Sequence, residues 1–205
     1  MCTELILVLT FLCVWSNEVT AKDGSDGYKT PDFCKGFKCP RYRVVEKYEK
    51  FEVREYEPTN WATTIVDLSA DVVPQSDRLY RYIRGANKKG SRMNMTLPYS
   101  LYLPTSENTD TLPLALFYLP PEFETPKPLD DSIYVYSYPA TRWYVRSFKG
   151  HLKVEHYFNH ARVLTTELAQ LKKPFECTFC SCSIYNGLYE LDDCHNEVAF
   201  MLKDI

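Results

Sequence analysis

The chain has 205 residues, 24 basic and 27 acidic side chains, a net charge of −3, and 45% hydrophobic residues including 15% aromatic. No long block of one sign is present, which excludes the strong field that nucleic acid or an anionic membrane surface would call for. The length is enough for one domain with a substantial core.

In chain order, an apolar run from Leu5 to Trp15 followed by Val19-Thr20-Ala21 predicts a secretory signal peptide over residues 1–21, too short to span a bilayer. Glu4 stands where a basic residue is usual. Cleavage before Lys22 leaves 184 residues with 24 basic and, once Glu4 and Glu18 are gone, 25 acidic side chains. The expected location is therefore secreted and extracellular, with no membrane span. Residues 22–41, rich in Gly, Asp, Ser, Lys and Pro, read as a flexible leader containing Cys34 and Cys39, and residues 42–205 as the folded domain.

Six cysteines survive cleavage: Cys34, Cys39, Cys177, Cys180, Cys182 and Cys194. In an oxidising compartment they read as disulfide candidates. Two precede the first strand and four lie near the C-terminus, so bridges between the groups would tie the ends of the domain together. Six cysteines allow fifteen pairings, and spacing does not choose among them. Asn94-Met95-Thr96 is the only glycosylation sequon, which makes Asn94 a candidate glycan site.

Alternation around Tyr42-Val44 and Phe51-Val53 predicts strands, broken at Glu57-Pro58 and resumed from Trp61 to Val66. Leu79, Tyr82, Ile83 and Ala86 follow at helical spacing behind Pro74, Gln75 and Ser76, with Gly85 and Gly90 marking the helix end. A strand over residues 93–103, a polar loop over 105–111 and the strand "LALFYLP" come next, then "LPPEFETPKPLDD", whose prolines predict a surface connection. Strands over 133–138 and 143–148 precede a second helix over 153–171, with the stripe Val154, Tyr157, Phe158, Ala161, Leu164, Leu168 and Leu171. Strands over 177–185 and 197–202 close the chain.

Two stretches match at an offset of 82. "FEVREYEPTNW" laid on "IYVYSYPATRW" superposes Tyr56 on Tyr138, Thr59 on Thr141 and Trp61 on Trp143, and an amphipathic helix follows each copy. The pattern predicts a duplicated strand, strand, helix unit: an antiparallel sheet curled around two roughly symmetric helices, with a seam between helix and sheet where a flat apolar ligand could lie.

Few motifs point to catalysis or metal. His156 and His160 have a metal-compatible spacing, but no glutamate follows His156 as in HExxH and no third ligand is evident, so they read as polar residues at the helix edge. Cys177, Cys180, Cys182, Cys194 and His195 can be drawn as a zinc site, although in a secreted chain they read better as disulfides. No GxSxG is present. Glu52, Glu55 and Glu57 read as a solvated strand edge, with Glu55 and Glu57 opposite Tyr56. On the first helix, Arg78, Arg81 and Arg84 ring a stripe of Leu79, Tyr80 and Ile83. This is either a core stripe with a solvated basic edge or an apolar surface beside carboxylate-pairing guanidinium groups.

The runs "KYEKFEVREYEPTNWATT", "IRGANKKG", "MNMTLPYS", "LALFYLPPEFETPKPLDDSIYVY", "VRSFKG" and "YNGLYELDDCHNEVAFML" resemble, in order and spacing, the SOUL haem-binding-protein family over roughly residues 42–203. The resemblance implies an α+β fold, a distorted antiparallel β-barrel of two pseudo-symmetric halves flanked by two long helices. It also implies non-enzymatic binding of haem or a related porphyrin as ligand in an apolar surface groove. Carried over by position, the ligand-binding residues are Leu79, Tyr80 and Ile83, with Arg81 placed to meet a propionate. Glu55 stands where some members carry a histidine, Glu190 where a haem-binding member carries lysine, and Tyr80 replaces a flexible apolar side chain. The expected function is a secreted tetrapyrrole buffer or carrier. The alternative is a disulfide-stabilised extracellular module that has lost haem and binds a protein partner, and a hemin titration separates the two.

Overall fold

The computed structural model describes residues 27–70, 72–105, 110–150, 154–185 and 194–203. The predicted signal peptide and Glu190 lie outside them. Nine strands form one antiparallel sheet: β1 (Tyr42–Lys47), β2 (Glu52–Tyr56), β3 (Thr59–Ile65), β4 (Tyr99–Pro104), β5 (Leu114–Leu119), β6 (Ile133–Tyr138), β7 (Thr141–Lys149), β8 (Phe179–Ile184) and β9 (His195–Met201). Helix α1 (Val72–Ile83) follows β3 and helix α2 (Val154–Gln170) follows β7. The fold is α+β, a curled sheet forming a half-barrel with two helices of 12 and 17 residues.

Strand order across the sheet is β1-β2-β7-β9-β8-β4-β5-β3-β6. The pairing carries the offset seen in the sequence. Each of the five β2–β7 pairs, from Glu52 with Val145 to Tyr56 with Thr141, recurs 82 residues on as a β6–β3 pair, from Tyr134 with Thr63 to Tyr138 with Thr59. Thus β2 and β3, adjacent in sequence, do not pair with each other. Each pairs with a strand of the other stretch.

Alternation sorts each strand onto two faces. On one face Val53, Tyr144, Val198 and Phe200 pack with Tyr157, Leu164 and Leu168 of α2, while Ala62, Ala115, Phe117 and Leu119 pack with Leu79, Tyr82 and Ile83 of α1. Each helix covers its own part of this face, and the sheet does not wrap around the helices as expected from the sequence. The opposite face curls inward. Residues of β2, β3, β4, β6, β7, β8 and β9 from that face line one cleft, so the hollow of the half-barrel lies on the side away from both helices.

Several local expectations change. The α2 stripe is narrower than the periodicity implied: Tyr157, Leu164 and Leu168 are buried, but Phe158 and Leu171 are exposed. The side chain of Val154 lies outside the described residues. The strand expected over 93–103 pairs only from Tyr99, just after Pro98, which has no N–H to give to a ladder. Part of the proline-rich connection is interior, not surface. Pro120 and Pro126 are buried, and the Pro126 carbonyl accepts a 2.8 Å hydrogen bond from the Tyr82 hydroxyl. Gly85, at φ +113°, turns the chain out of α1 through a conformation that a residue with Cβ rarely adopts.

Cys34 pairs with Cys39 across a separation of only five residues, so this bridge clips the leader and does not join the two ends of the domain. Cys180 and Cys182 are buried thiols on the α2 side of β8, and Cys177 is exposed. A hydrogen bond with Cys180, together with burial, holds the Cys182 thiol well above its ordinary range. The described part of the leader makes contacts with the domain. Phe33 stacks on the His195 imidazole at 4.0 Å and meets Tyr185 edge-on at 4.8 Å.

Candidate functional site

The residues named from the sequence lie on α1. Leu79 and Ile83 are each 1% exposed and point into the core, whereas Tyr80 is half-buried and Arg81 is exposed. Arg81 pairs with Asp77 one turn earlier at 3.1 Å, and the Arg84 guanidinium lies 5.5 Å from the centroid of the Tyr80 ring. Arg78 is instead tied to the sheet, donating to Ser132 at 2.9 Å and Thr64 at 3.3 Å. The half-buried Met93 and Met95 pack on the same core cluster as Tyr80, and the Met93 amide bonds to the Ile83 carbonyl at 2.8 Å, which brings this segment to the end of α1. The outer side of α1 therefore presents a partly apolar shelf of Tyr80 and two methionines beside two exposed arginines, backed by Leu79 and Ile83. Asn94 stands exposed between the methionines, and Thr96 of the same sequon is buried, its hydroxyl donating to the Tyr118 carbonyl at 2.6 Å.

The second constellation is the cleft, about 600 Å³ of space counted out to its open mouth. Three of the four identities of the repeat face it from both copies: Tyr56 and Tyr138, Thr59 and Thr141, Trp61 and Trp143; the fourth, Val53 and Val135, packs on the helix side. Each indole N–H is donated to the threonine two residues earlier, at 3.0 Å in both copies. This spends the polar edge of each tryptophan and sets the ring angle, so the walls offer ring surface and not donors. Tyr102 and Tyr185 add further rings, and Ser100 and Ser183 meet hydroxyl to hydroxyl at 2.8 Å. Burial pushes the Tyr56 phenol up to about 12, so it stays neutral at any ordinary pH.

At the floor lies Glu197, 3% exposed. It accepts from Arg54 at 2.8 Å, Tyr185 at 2.9 Å and Ser147 at 3.1 Å, and lies 2.8 Å from His195 Nε2. Burial alone would raise its pKa; the Arg54 guanidinium and the bonds from His195 and Arg54 outweigh burial and bring it down to about 2. Arg54, 2% exposed, also donates to Glu52 at 2.5 Å and lies 4.2 Å over the Tyr42 ring. Neither Arg54 nor Glu197 is in the site read from the sequence. The repeat points only to the rings around them, since three of its four matching pairs face the cleft.

Other sequence candidates have structural partners. Glu55 sits between Arg43 at 2.7 Å and Arg142 at 2.6 Å, which hold its carboxyl below the usual range. His160 stacks on Phe148 at 3.9 Å and its Nδ1 accepts from Arg146 at 3.0 Å; burial, with Arg146 and His156 nearby, lowers its pKa. Among the described residues no group of three His, Cys, Asp or Glu side chains is placed to hold a metal, and no helix is long and apolar enough to cross a membrane.

The model of the SOUL heme-binding protein family matches residues 37–201. The chain belongs to this family. It is similar to heme-binding protein 2 of Homo sapiens, at 29% identity over 164 residues covering 75% of this chain and 78% of that one. It is also similar to heme-binding protein 1 of Xenopus tropicalis, at 31% identity over 136 residues covering 60% and 70%. Among solved structures the C-terminal domain of EcmrR aligns with a TM-score of 0.54 at 12% identity, covering 80% of this chain and 99% of that one, a likeness of fold.

Proposed function

We propose that this protein binds haem or a related tetrapyrrole and does not transform it. The observation that carries the reading is the family match across residues 37–201, which takes in every strand and both helices. The α1 shelf suits such a ligand. Tyr80, Met93 and Met95 offer a partly apolar bed for the ring, and Arg81 and Arg84 offer charge-assisted bonds to propionates. A phenol and thioethers are side chains of the kinds that serve as axial haem ligands, so the donors present fit an iron porphyrin as well as a bare ring. Leu79 and Ile83 would hold the bed in shape from below.

Titrating the mature protein with hemin and with iron-free protoporphyrin tests this. Saturable binding of both, with a shifted Soret band at one equivalent, is expected, and comparable affinity would show that the ring is gripped more than the metal. A flat titration with both would end the proposal.

Two finer readings belong with it. Extracellular action as a buffer or carrier is supported by the Cys34–Cys39 bridge, since disulfides persist in oxidising compartments. Recovery of a 184-residue product from the medium of expressing cells would check it. Derivation of β2, β3, β6 and β7 from two pseudo-symmetric copies of one unit is supported by the pairing register that recurs at 82 residues. The alternative, a protein-interaction module, draws support from edge strand β6, where Tyr134 and Tyr136 are exposed and stacked at 6.2 Å. A specific extracellular partner in a pull-down, with no porphyrin bound, would favour it.

A further inference from the structure

The cleft is on the opposite face of the sheet from α1, and its chemistry differs from that of the shelf. Its walls carry aromatic rings, and both indole N–H groups are already bonded to threonine. A guest between them would meet π faces, which attract positive charge. The floor carries the same preference. Arg54 serves two carboxylates, Glu197 at 2.8 Å and Glu52 at 2.5 Å. Of the three, Glu197 lines the cleft and Arg54 does not. Two propionates placed here would face a carboxylate and ring surfaces, which disfavours haem in the cleft.

We propose that the cleft is a second ligand site, selective for a small planar aromatic cation of one or two fused rings, gripped between the walls carrying Trp61 and Trp143 with its positive end toward Glu197. The open space of about 600 Å³, counted out past the mouth into solvent, is an upper bound on the guest. This reading does not depend on tetrapyrrole binding and survives if that fails.

The probes are N-methylquinolinium and its anionic counterpart of similar size, 2-naphthoate, titrated by calorimetry into the full folded chain. Saturable binding of the cation at one equivalent is expected, with the anion weaker by about tenfold or more, the scale of a partly desolvated cation–π contact. Tyr138→Ala, on an edge strand where truncation is tolerated, is expected to weaken the cation several-fold while leaving hemin binding unchanged. Glu52→Gln is expected to narrow the gap between cation and anion. Glu197→Gln is avoided as the main test because it leaves Arg54 without its buried partner. Absence of saturable cation binding by protein with a native circular dichroism spectrum, equal binding of the anion, or indifference to Tyr138→Ala would each overturn the proposal. So would stoichiometric displacement of the cation by hemin, which would place both in one site.

Discussion

Trp61 and Trp143 stand 82 residues apart, on different strands, yet each donates its indole N–H at 3.0 Å to the threonine two positions before it and each faces the same cleft. Their surroundings differ, since Trp61 is 8% exposed and Trp143 is half-buried. Replacing either threonine by valine removes the acceptor and keeps the volume. Thr59→Val should cost about 1–3 kcal/mol, because the buried indole is left unpaired, and Thr141→Val less, because water reaches its ring. Urea unfolding of the two variants checks the order; an equal or reversed cost would show that the two bonds do not differ as their burial implies.

The Arg54–Glu197 pair is the buried electrostatic centre of the sheet. Arg54→Met should destabilise by roughly 3–5 kcal/mol, because it leaves a carboxylate buried without its cation. Adding Glu197→Gln to that variant should recover part of the loss. Thermal unfolding of the wild type, both single variants and the double variant closes the cycle, and simple additivity would mean that the groups do not interact.

The same pair sets an acid limit. Glu197 has a folded pKa near 2, below its ordinary 4.5, so it adds stability that is fully present above about 4.5 and lost as pH falls toward 2. The lowered pKa of His160 acts in the same direction at higher pH: the folded state prefers the neutral ring, so its contribution is complete above 6.5 and declines as pH drops through the folded value. Stability measured from pH 7 to pH 2 should fall in both windows, and His160→Phe should remove the upper decline alone.

The α1 residues separate into ligand contacts and supports. Arg81→Ala should weaken hemin by about 1–3 kcal/mol with little change in stability, the usual range for a charge-assisted hydrogen bond. Leu79→Ala should cost about 2–5 kcal/mol of stability, as a large side chain removed from a core does. Paired hemin titrations and denaturant curves distinguish the two; unchanged hemin affinity in Arg81→Ala would move the ligand away from this helix.

Thiol reactivity follows burial. Native protein treated with iodoacetamide should be modified at Cys177 and resist at Cys180 and Cys182 until it is unfolded, as peptide mass mapping would show. Rapid labelling of Cys182 in the folded protein would contradict its position under α2.

Much of the fold was legible because period and burial agree. Leu79, Tyr82 and Ile83 formed one stripe, and they are the buried side of α1. Phe158 and Leu171 continued the stripe of α2 by spacing alone, but both are exposed, so the helix buries a narrower face than hydrophobicity suggests. The repeat was visible, yet its meaning was not. Tyr56, Thr59 and Trp61 read as strand residues, and only strand exchange with β6 and β7 brings them opposite their counterparts. Arg54 and Glu197 are 143 positions apart and meet because β7 alone separates β2 from β9, an adjacency that no local pattern encodes. The packing of the leader was hidden for a similar reason. Its composition cannot form a core, but Phe33 needs only the ready-made surface of His195 and Tyr185.

The hollow has matching flanks and a single charged end. A flat guest in the proposed site would have two ways to lie, half a turn apart, with the carboxylate as the main feature that distinguishes head from tail. Grip and orientation are assigned to different side chains. Substitutions in the tryptophan-bearing walls should alter how tightly a guest is held without reversing it, while changes around Glu197 should let it flip with little loss of hold.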